Sequence, residues 1–463
     1  MPILRACITS ALLAVALGGT ATATPRRTVF PHPQARWWVS GQLNVINQFH
    51  PGFRSPYSGI NSLSAPADDA TSIVGTVFGG LLVTSTTELL IDGESAGGGG
   101  VGQALGVGGF SNLDVVRNPT LGSAPYLARA IVHQIIPLGD AEVDATRGPL
   151  SGFARLPRRR LEIRAGKMST ADTFDVNALG SDSHLQFMNW AVDNNGSYDY
   201  AADTRGYTLG AVTEYDDPAW SVRVGEMLMP SVANGIDYDF GIAHARGEQV
   251  EVEHRGQIDG RDSVVRVLGY LNHAAMGSYR AAIDEFRAGA IAAPDITTSR
   301  AAGRTKIGAG LNAEQALTTD LSLFGRAGWA DGKNEAFAYT EIDNTLELGG
   351  TLRGARWHRP DDRLGVAVVT NGLSSFHREY LKLGGHGFLL GDGTLHYGRE
   401  NITEVYYTAH LPYGISPAAD LQVIRARLQH RPRPGRHRVG AAARRVLTRA
   451  AIAISSRRSA RRL

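Results

Sequence analysis

The 463-residue chain contains a single cysteine, Cys7, which lies in its N-terminal segment. Arg5 precedes an apolar stretch, residues 6–19, and small residues follow at 21–23. This pattern is typical of a secretory signal peptide, here residues 1–23, and a short N-terminal segment, residues 24–36, comes next. The mature protein would then have no thiol. Disulfide frameworks, cysteine-ligated metals and cysteine nucleophiles are therefore excluded.

Long hydrophobic runs are also absent after the signal peptide. The longest mostly apolar run, residues 72–83, contains three glycines and is shorter than the roughly 20 residues that a membrane-spanning helix needs. If the exported chain enters a membrane, closed β structure is the remaining way to satisfy its backbone hydrogen bonds. The 55 glycines and 20 prolines favour a chain with many turns and bulges.

Short segments in which apolar and polar residues alternate run from Trp37 to about Ile424. In one of them, Leu161, Ile163 and Ala165 alternate with charged residues. A period of two predicts β-strands that have one apolar and one polar face. Comparable segments occur near residues 207–224, 250–253, 307–329, 346–353 and 405–411.

Alternation alone does not distinguish a soluble β-sandwich, whose apolar face is inside, from a membrane barrel, whose apolar face contacts lipid. Two features favour the barrel: the alternating region is long enough for many strands, and full charges recur in the middle of strands. Aromatic residues near strand ends also predict an interfacial girdle. They are Trp37, Trp38, Tyr207, Tyr215, Trp220, Trp329, Tyr406 and Tyr407. The alternative is a secreted all-β protein.

The most distinctive motifs surround a segment that is far longer than a hairpin loop. Arg-Arg-Leu-Glu-Ile-Arg-Ala-Gly-Lys ends at residue 167, and Phe-Asp-Val-Asn, Gln-Phe-Met-Asn-Trp and Tyr-Asp-Tyr-Ala-Ala-Asp-Thr-Arg-Gly-Tyr begin at residues 174, 186 and 198. This series closely resembles the carbohydrate-selective porin family (the OprB type). Further matching pieces lie within residues 50–63, 124–129, 229–237 and 268–279. The resemblance covers roughly residues 37–425.

The resemblance implies an all-β fold: a transmembrane antiparallel β-barrel of about 16 strands, formed by residues 37–425. It also implies passive diffusion of small sugars, or other small polar solutes, across a bacterial outer membrane. The long segment, residues 169–206, either folds into the lumen or packs as a surface loop, and the sequence leaves both possibilities open. Outer-membrane lipid and the barrel-assembly machinery are the expected partners, without nucleic acid, and the oligomeric state is not determined.

A sugar channel needs carboxylates and guanidinium groups that exchange hydrogen bonds with hydroxyls, and aromatic rings that stack on sugar faces. The candidate channel-lining residues are Glu88, Asp92, Arg129, Glu162, Arg164, Arg223, Glu251, Arg266, Glu347 and Arg353. The candidate constriction residues in the long segment are Trp190, Asp193, Asp199, Asp203 and Arg205. The competing interpretation is that such charges hydrate the wall and pair with one another.

Enzyme motifs are missing from the sequence. It contains neither Gly-x-Ser-x-Gly nor His-Glu-x-x-His, and its 14 histidines show no metal-ligand spacing. We therefore expect no catalysis, no cofactor and no metal site. Two alternatives stay open: a secreted all-β carbohydrate-active enzyme, because carboxylate pairs are plentiful, and a plugged structural barrel, which would show the same alternation.

The C-terminal tail, residues 426–463, lacks acidic and aromatic residues and contains twelve arginines. Without it the chain has 35 basic and 44 acidic residues, so the net charge of +3 conceals an acidic body. A basic tail usually suggests a nucleic-acid partner. We interpret this one instead as a closing strand read in a shifted frame near codon 425, because one possible set of codons for residues 426–443, read one base later, encodes a turn and an alternating strand. The printed chain is then expected to leave two unpaired edges in lipid.

Overall fold

The computed structural model describes residues 35–55, 58–116, 121–337, 340–393, 395 and 397–425, and the backbone of 444–455. The proposed signal peptide, nearly all of the short N-terminal segment and the remainder of the tail lie outside the described residues. The described chain folds as one barrel whose interior is crossed by long connections between strands.

Sixteen antiparallel strands form the barrel. In chain order they are β1 (Trp37–His50), β2 (Asp68–Leu82), β3 (Thr87–Gly98), β4 (Tyr126–Pro137), β5 (Arg160–Met168), β6 (Thr208–Asp216), β7 (Trp220–Leu228), β8 (Arg246–Ile258), β9 (Arg261–Met276), β10 (Ala301–Ala316), β11 (Leu321–Ala330), β12 (Asn344–Gly354), β13 (Arg359–Gly372), β14 (Glu400–Thr408), β15 (Ile415–Arg425) and β16 (Arg444–Ser455). Each pairs with the barrel strands before and after it, and β16 pairs with β1. The predicted all-β barrel of about 16 strands is confirmed.

The outer face of the barrel is apolar. Val77, Ile91 and Leu348 point outward with 61%, 59% and 60% of their surface exposed. Their strand neighbours on the other register point inward and include buried charges such as Glu347. Because an apolar belt of this kind is stable only against lipid, the alternation places the hydrophobic face toward the membrane.

The two ends of the barrel differ. At one end, most strands are joined by short turns, such as residues 83–86, 217–219 and 259–260, and within the described chain only residues 138–159 form a longer connection. In the turn at 259–260, Asp259 and Gly260 have φ of 51° and 70°, which fits a tight hairpin turn. At the opposite end the connections are long, and the longest spans residues 169–207. Short periplasmic turns and longer extracellular loops are the normal arrangement in outer-membrane barrels.

The aromatic girdle was only partly predicted by position along the strands. Trp37, Trp220 and Trp329 are exposed on the outer face. Trp38 and Tyr406, in contrast, are buried, because they fall on the inward register of β1 and β14. Tyr207 is also buried, beside the long segment. For these last three residues the girdle prediction is wrong.

Short helices occur in the connections at the long-loop end. They are α1 (Trp190–Asp193), α2 (Tyr279–Arg287) and α3 (Ser375–Lys382). The side chains of Ser278 and Ser374 accept hydrogen bonds from Ala281 N and His377 N, and so cap α2 and α3. Among the described residues, no helix has the length and apolar character needed to cross a bilayer.

The tail contributes the last strand. Its backbone pairs with both neighbours, for example Leu447 with Phe49 in β1 and with Leu421 in β15. The expectation of a barrel left open at this point is therefore wrong for the backbone, since closure satisfies the hydrogen bonds of two strand edges that would otherwise face lipid. Residues 426–443 and 456–463 lie outside the described residues, and the shifted reading frame stays a proposal.

Candidate functional site

Residues 169–206, here called the lumen segment, lie inside the barrel. Asn189 Nδ2 donates to Gln422 Oε1 at 2.9 Å, on the inner face of β15. Asn177 Nδ2 donates to Asn312 Oδ1 at 2.8 Å, on β10. These strands are five positions apart in the barrel, so the segment spans the lumen from wall to wall. The infolded position is confirmed, and the alternative of a surface loop is wrong.

One arginine fastens the lumen segment to the wall. Arg326 Nε, on β11, lies 3.1 Å from Asp175 Oδ2, and Nη1 lies 3.3 Å from Glu347 Oε2 on β12. Nη2 donates to Ser181 Oγ at 2.6 Å, and Nη1 donates to the carbonyl oxygen of Val192 at 2.7 Å. The guanidinium is fully buried. Glu347, a predicted channel-lining residue, is therefore one of the two carboxylates that pair with Arg326 in a buried cluster.

A second fastening lies on β10. Lys306 Nζ is 2.9 Å from Asp199 Oδ2, and both side chains are buried. The same carboxylate accepts from Phe337 N at 2.9 Å. A buried pair of this kind holds the segment in one position because either charge alone would be costly in the interior.

The inner faces of β5 to β10 have a continuous network of ion pairs, which we call the ladder. It contains the five arginines Arg160, Arg164, Arg223, Arg255 and Arg266 and the six carboxylates Glu162, Glu214, Asp216, Glu251, Glu253 and Glu314. Arg223 is central to it, at 2.9 Å from Glu214 and 2.7 Å from Glu251. Glu251 also accepts a hydrogen bond from Asp175 N at 2.8 Å, so the ladder reaches the lumen segment.

The ladder differs from the two fastenings in its contact with solvent. Its arginine side chains are 8–21% exposed, whereas those of Arg326 and Lys306 are 0% and 1% exposed. A channel-lining group must meet water, and the ladder is one part of the wall that does.

Five of the ten predicted channel-lining residues belong to the ladder: Glu162, Arg164, Arg223, Glu251 and Arg266. Glu88 adjoins it through a histidine. His133 Nδ1 is 2.7 Å from Glu88 Oε1, and His133 Nε2 is 3.0 Å from Glu162 Oε2. Both carboxylates are buried against the imidazole.

The remaining four predicted residues lie elsewhere. Arg129 Nη1 is 3.1 Å from Asp92 Oδ2, and Arg129 Nε is 2.7 Å from Asp172 Oδ2 in the lumen segment. This trio anchors the start of the segment to β3 and β4. Glu347 belongs to the Arg326 cluster, and Arg353 is exposed at the short-turn end of β12.

The predicted constriction residues are mostly buried in packing between connections. Trp190 stacks on Tyr200 with ring centroids 5.7 Å apart and meets Phe110 edge-on at 6.4 Å. Asp193 Oδ2 accepts from Asn194 Nδ2 at 2.6 Å, and burial raises the pKa of Asp193 well above its usual range. Both residues support the fold of the segment.

The other constriction candidates also make specific contacts. Asp199 pairs with Lys306. Asp203 accepts from Arg205 N at 2.9 Å and from Tyr238 OH at 2.8 Å, and burial raises the pKa of its carboxyl. The guanidinium of Arg205 lies 3.7 Å from the centre of the Tyr126 ring, a cation–π contact. These residues therefore contact different partners, and their grouping in one constriction stays a prediction.

The sequence did not identify the other ladder members, nor Arg326 and Lys306, the two buried cations that hold the lumen segment. Glu253 and Arg255 follow Glu251 on the same register of β8, and this register was the signal that could have found them. Arg326 and Lys306 are also on inward registers, but nothing in the local sequence distinguishes a buried anchor from an exposed ladder residue.

A family model and one solved structure agree with this architecture. The family model described as "Carbohydrate-selective porin, OprB family" matches residues 102–427. The high-pH structure of Pseudomonas putida OprB is similar, with a TM-score of 0.62 and 14% identity over 90% of this chain and 93% of that chain. The low-pH structure of the same protein has a TM-score of 0.46 and 13% identity over 90% and 92%. No curated protein matches the chain.

Proposed function

This chain belongs to the carbohydrate-selective porin (OprB) family, and we propose that the sugars it conducts pass between the ladder and the lumen segment. As a member of that family it is an outer-membrane channel through which carbohydrates diffuse. The observation that carries the proposal is the solvent contact of the ladder: its arginines keep part of their surface open to the lumen, while Arg326 and Lys306 do not.

The ladder has the chemistry that a sugar needs. Guanidinium groups donate to hydroxyl oxygens and carboxylates accept from hydroxyl hydrogens, so each sugar hydroxyl finds both kinds of partner. Five positive and six negative groups interleave, which leaves little net charge and favours neutral solutes over ions. The groups already pair with one another, so a sugar binds weakly and is released, as passive conduction requires.

Liposome swelling tests conduction. Vesicles that contain the purified channel are placed in sugars of graded size, and the medium is assayed for cleavage products. We expect swelling with monosaccharides, slower swelling with larger sugars, and no turnover. Cleavage would indicate a carbohydrate-active enzyme instead, and the absence of swelling with a folded barrel would indicate a plugged one.

Paired variants test the ladder itself. In planar bilayers we expect Arg164→Gln/Arg255→Gln to raise the sugar concentration that half-blocks the ion current at least threefold. The matched control is Arg246→Gln, because Arg246 pairs with Glu248 at 2.8 Å on the outer face of β8. An unchanged half-blocking concentration in the ladder variant, with normal assembly, would place the solute path elsewhere.

Biogenesis follows from the same function. We propose that residues 1–23 are removed on export and that the barrel-assembly machinery inserts the mature chain. N-terminal sequencing of the outer-membrane protein, and its yield after depletion of that machinery, test the two steps. Cross-linking in the membrane gives the oligomeric state.

A further inference from the structure

A cavity of about 340 Å³ opens at the short-turn end of the barrel. Its lining comes from the turns around residues 260–262 and 318–320, from β12 and β13, and from Leu179 of the lumen segment. The volume falls at the lower end of the range found for small-molecule sites. The cavity lies apart from the ladder, whose residues are not in its lining.

Three arginines in this lining lack carboxylate partners. Within the part of the chain that the structure describes, Arg261, Arg353 and Arg363 form no ion pair within 4 Å, and their guanidinium groups donate no hydrogen bond to a side chain. Every arginine of the ladder, in contrast, lies within 3.3 Å of at least one carboxylate. The ladder arginines are therefore neutralised by carboxylates, whereas these three arginines of the cavity are not.

Two of these arginines are directly opposed. Arg353 of β12 and Arg363 of β13 are register partners on neighbouring strands, so their side chains start from the same face of the sheet. Like charges opposite each other are destabilising. Asp262 and Asp320 also line the cavity, and Asp262 accepts a hydrogen bond from Gln257 Nε2 at 3.1 Å, so the three arginines exceed the two carboxylates by one charge. The arrangement leaves a net positive charge.

Hydroxyl groups lie beside the arginines. Ser322 of β11 and Thr351 of β12 are register partners, and both line the cavity. Their hydroxyls can exchange hydrogen bonds with the hydroxyls of a sugar, while a guanidinium group binds a carboxylate or phosphate through two parallel hydrogen bonds. The lining therefore combines recognition of an oxyanion with recognition of a polyol.

We propose that this mouth cavity binds the oxyanion group, carboxylate or phosphate, of an acidic sugar at the short-turn end of the channel. The inference rests on the proposed function, because it assigns a second solute class to the same pore. Neutral sugars use the ladder, and the opposed arginines Arg353 and Arg363 hold the acidic ones at the mouth.

Single-channel recording tests the site with three probes: glucose, glucuronate and glucose 6-phosphate. We expect glucuronate and glucose 6-phosphate to block the current at lower concentration than glucose. In Arg353→Gln/Arg363→Gln their half-blocking concentrations should rise at least fivefold. Block by glucose 6-phosphate alone identifies phosphate as the group recognised, and block by both acids identifies any oxyanion.

The matched control is Arg356→Gln, an exposed arginine three residues beyond Arg353 that does not line the cavity. Equal block of the wild type and the double variant overturns the inference, as does an equal loss in Arg356→Gln, which would indicate general surface charge. If the double variant does not assemble, Arg353→Gln alone should raise the half-blocking concentrations at least twofold. Loss of glucose swelling in the wild type would instead contradict the proposed function.

Discussion

Arg326 and Arg164 illustrate two roles of arginine inside this barrel, and they differ in their exposure to solvent. Arg326 is completely buried among Asp175, Glu347 and backbone carbonyl oxygens. Arg164 makes comparable ion pairs but keeps a fifth of its side chain exposed. A fully desolvated charge is tolerated only while its partners stay in place, so Arg326 stabilises the position of the lumen segment. Arg164 remains in contact with solvent.

We expect Arg326→Ala to destabilise the folded barrel by about 3–5 kcal/mol, because it leaves Asp175 and Glu347 buried without their cation. Urea unfolding in lipid vesicles measures the loss. Chymotrypsin should also cut residues 185–200 faster, because the segment loses its fastening. The control, Arg246→Ala, removes a partly exposed pair with Glu248 and should cost about 1 kcal/mol or less. Equal losses of stability in the two variants would contradict the distinction between the buried Arg326 cluster and a partly exposed ion pair.

The pair of Lys306 and Asp199 allows a double-mutant test. Lys306→Met alone leaves the Asp199 carboxylate buried without its cation. The double variant Asp199→Asn/Lys306→Met removes both charges, and we expect it to be more stable than the single variant. The coupling energy should be roughly 1–3 kcal/mol, measured by urea unfolding of all four proteins. A coupling near zero would mean that the pair does not hold the segment.

The sequence could identify these residues only by register. Polar registers found Glu162, Arg164 and Arg223 of the ladder because a strand fixes the face of every second residue. Glu347 was found in the same way, but its role was not, because Asp175 approaches it from a distant connection. Packing between segments far apart in sequence leaves no local signal.

At the scale of the element, the outward register of a strand can be tested by the free energy that a charge placed on it costs. Leu348 is outward and exposed in the middle of β12. We expect Leu348→Arg to lower the free energy of unfolding by about 2–4 kcal/mol, the cost of an arginine at the bilayer midplane. Ala355→Arg, in the turn after the same strand, should change it by less than about 1 kcal/mol. Equal costs in vesicles would mean that Leu348 does not face lipid.

The lumen segment shows which features could not be predicted from the sequence of one element alone. Its length and motifs indicated a functional connection, and its infolding is confirmed by the contacts with β10 and β15. Trp190 was expected at a constriction, yet it packs against Phe110 from another connection. The side chains of an irregular segment point where its partners are, and those partners come from several loops. Periodicity therefore predicts the strands well and the segment poorly.

At the scale of the whole molecule, closure depends on one strand. The backbone of Arg444–Ser455 occupies the place between β15 and β1, where its hydrogen bonds remove the last two edges. The sequence of this strand includes Arg444, Arg445 and Arg449, and any arginine that faces lipid near the midplane costs about 2–4 kcal/mol. The topology is thus complete, while the composition of the strand remains consistent with our proposal of a shifted reading frame.

Three versions of the gene separate topology from composition: the printed chain, a chain that ends after Arg425, and a chain with the frame shifted by one base from codon 426. We expect the second to give no heat-modifiable, protease-resistant barrel, because fifteen strands leave two unpaired edges in lipid. The printed chain should form the barrel, and the frame-shifted chain should form one that resists higher urea concentrations. Equal resistance of these two, together with an intact frame on resequencing, would contradict the shifted frame, and a folded fifteen-strand product would contradict closure by the tail.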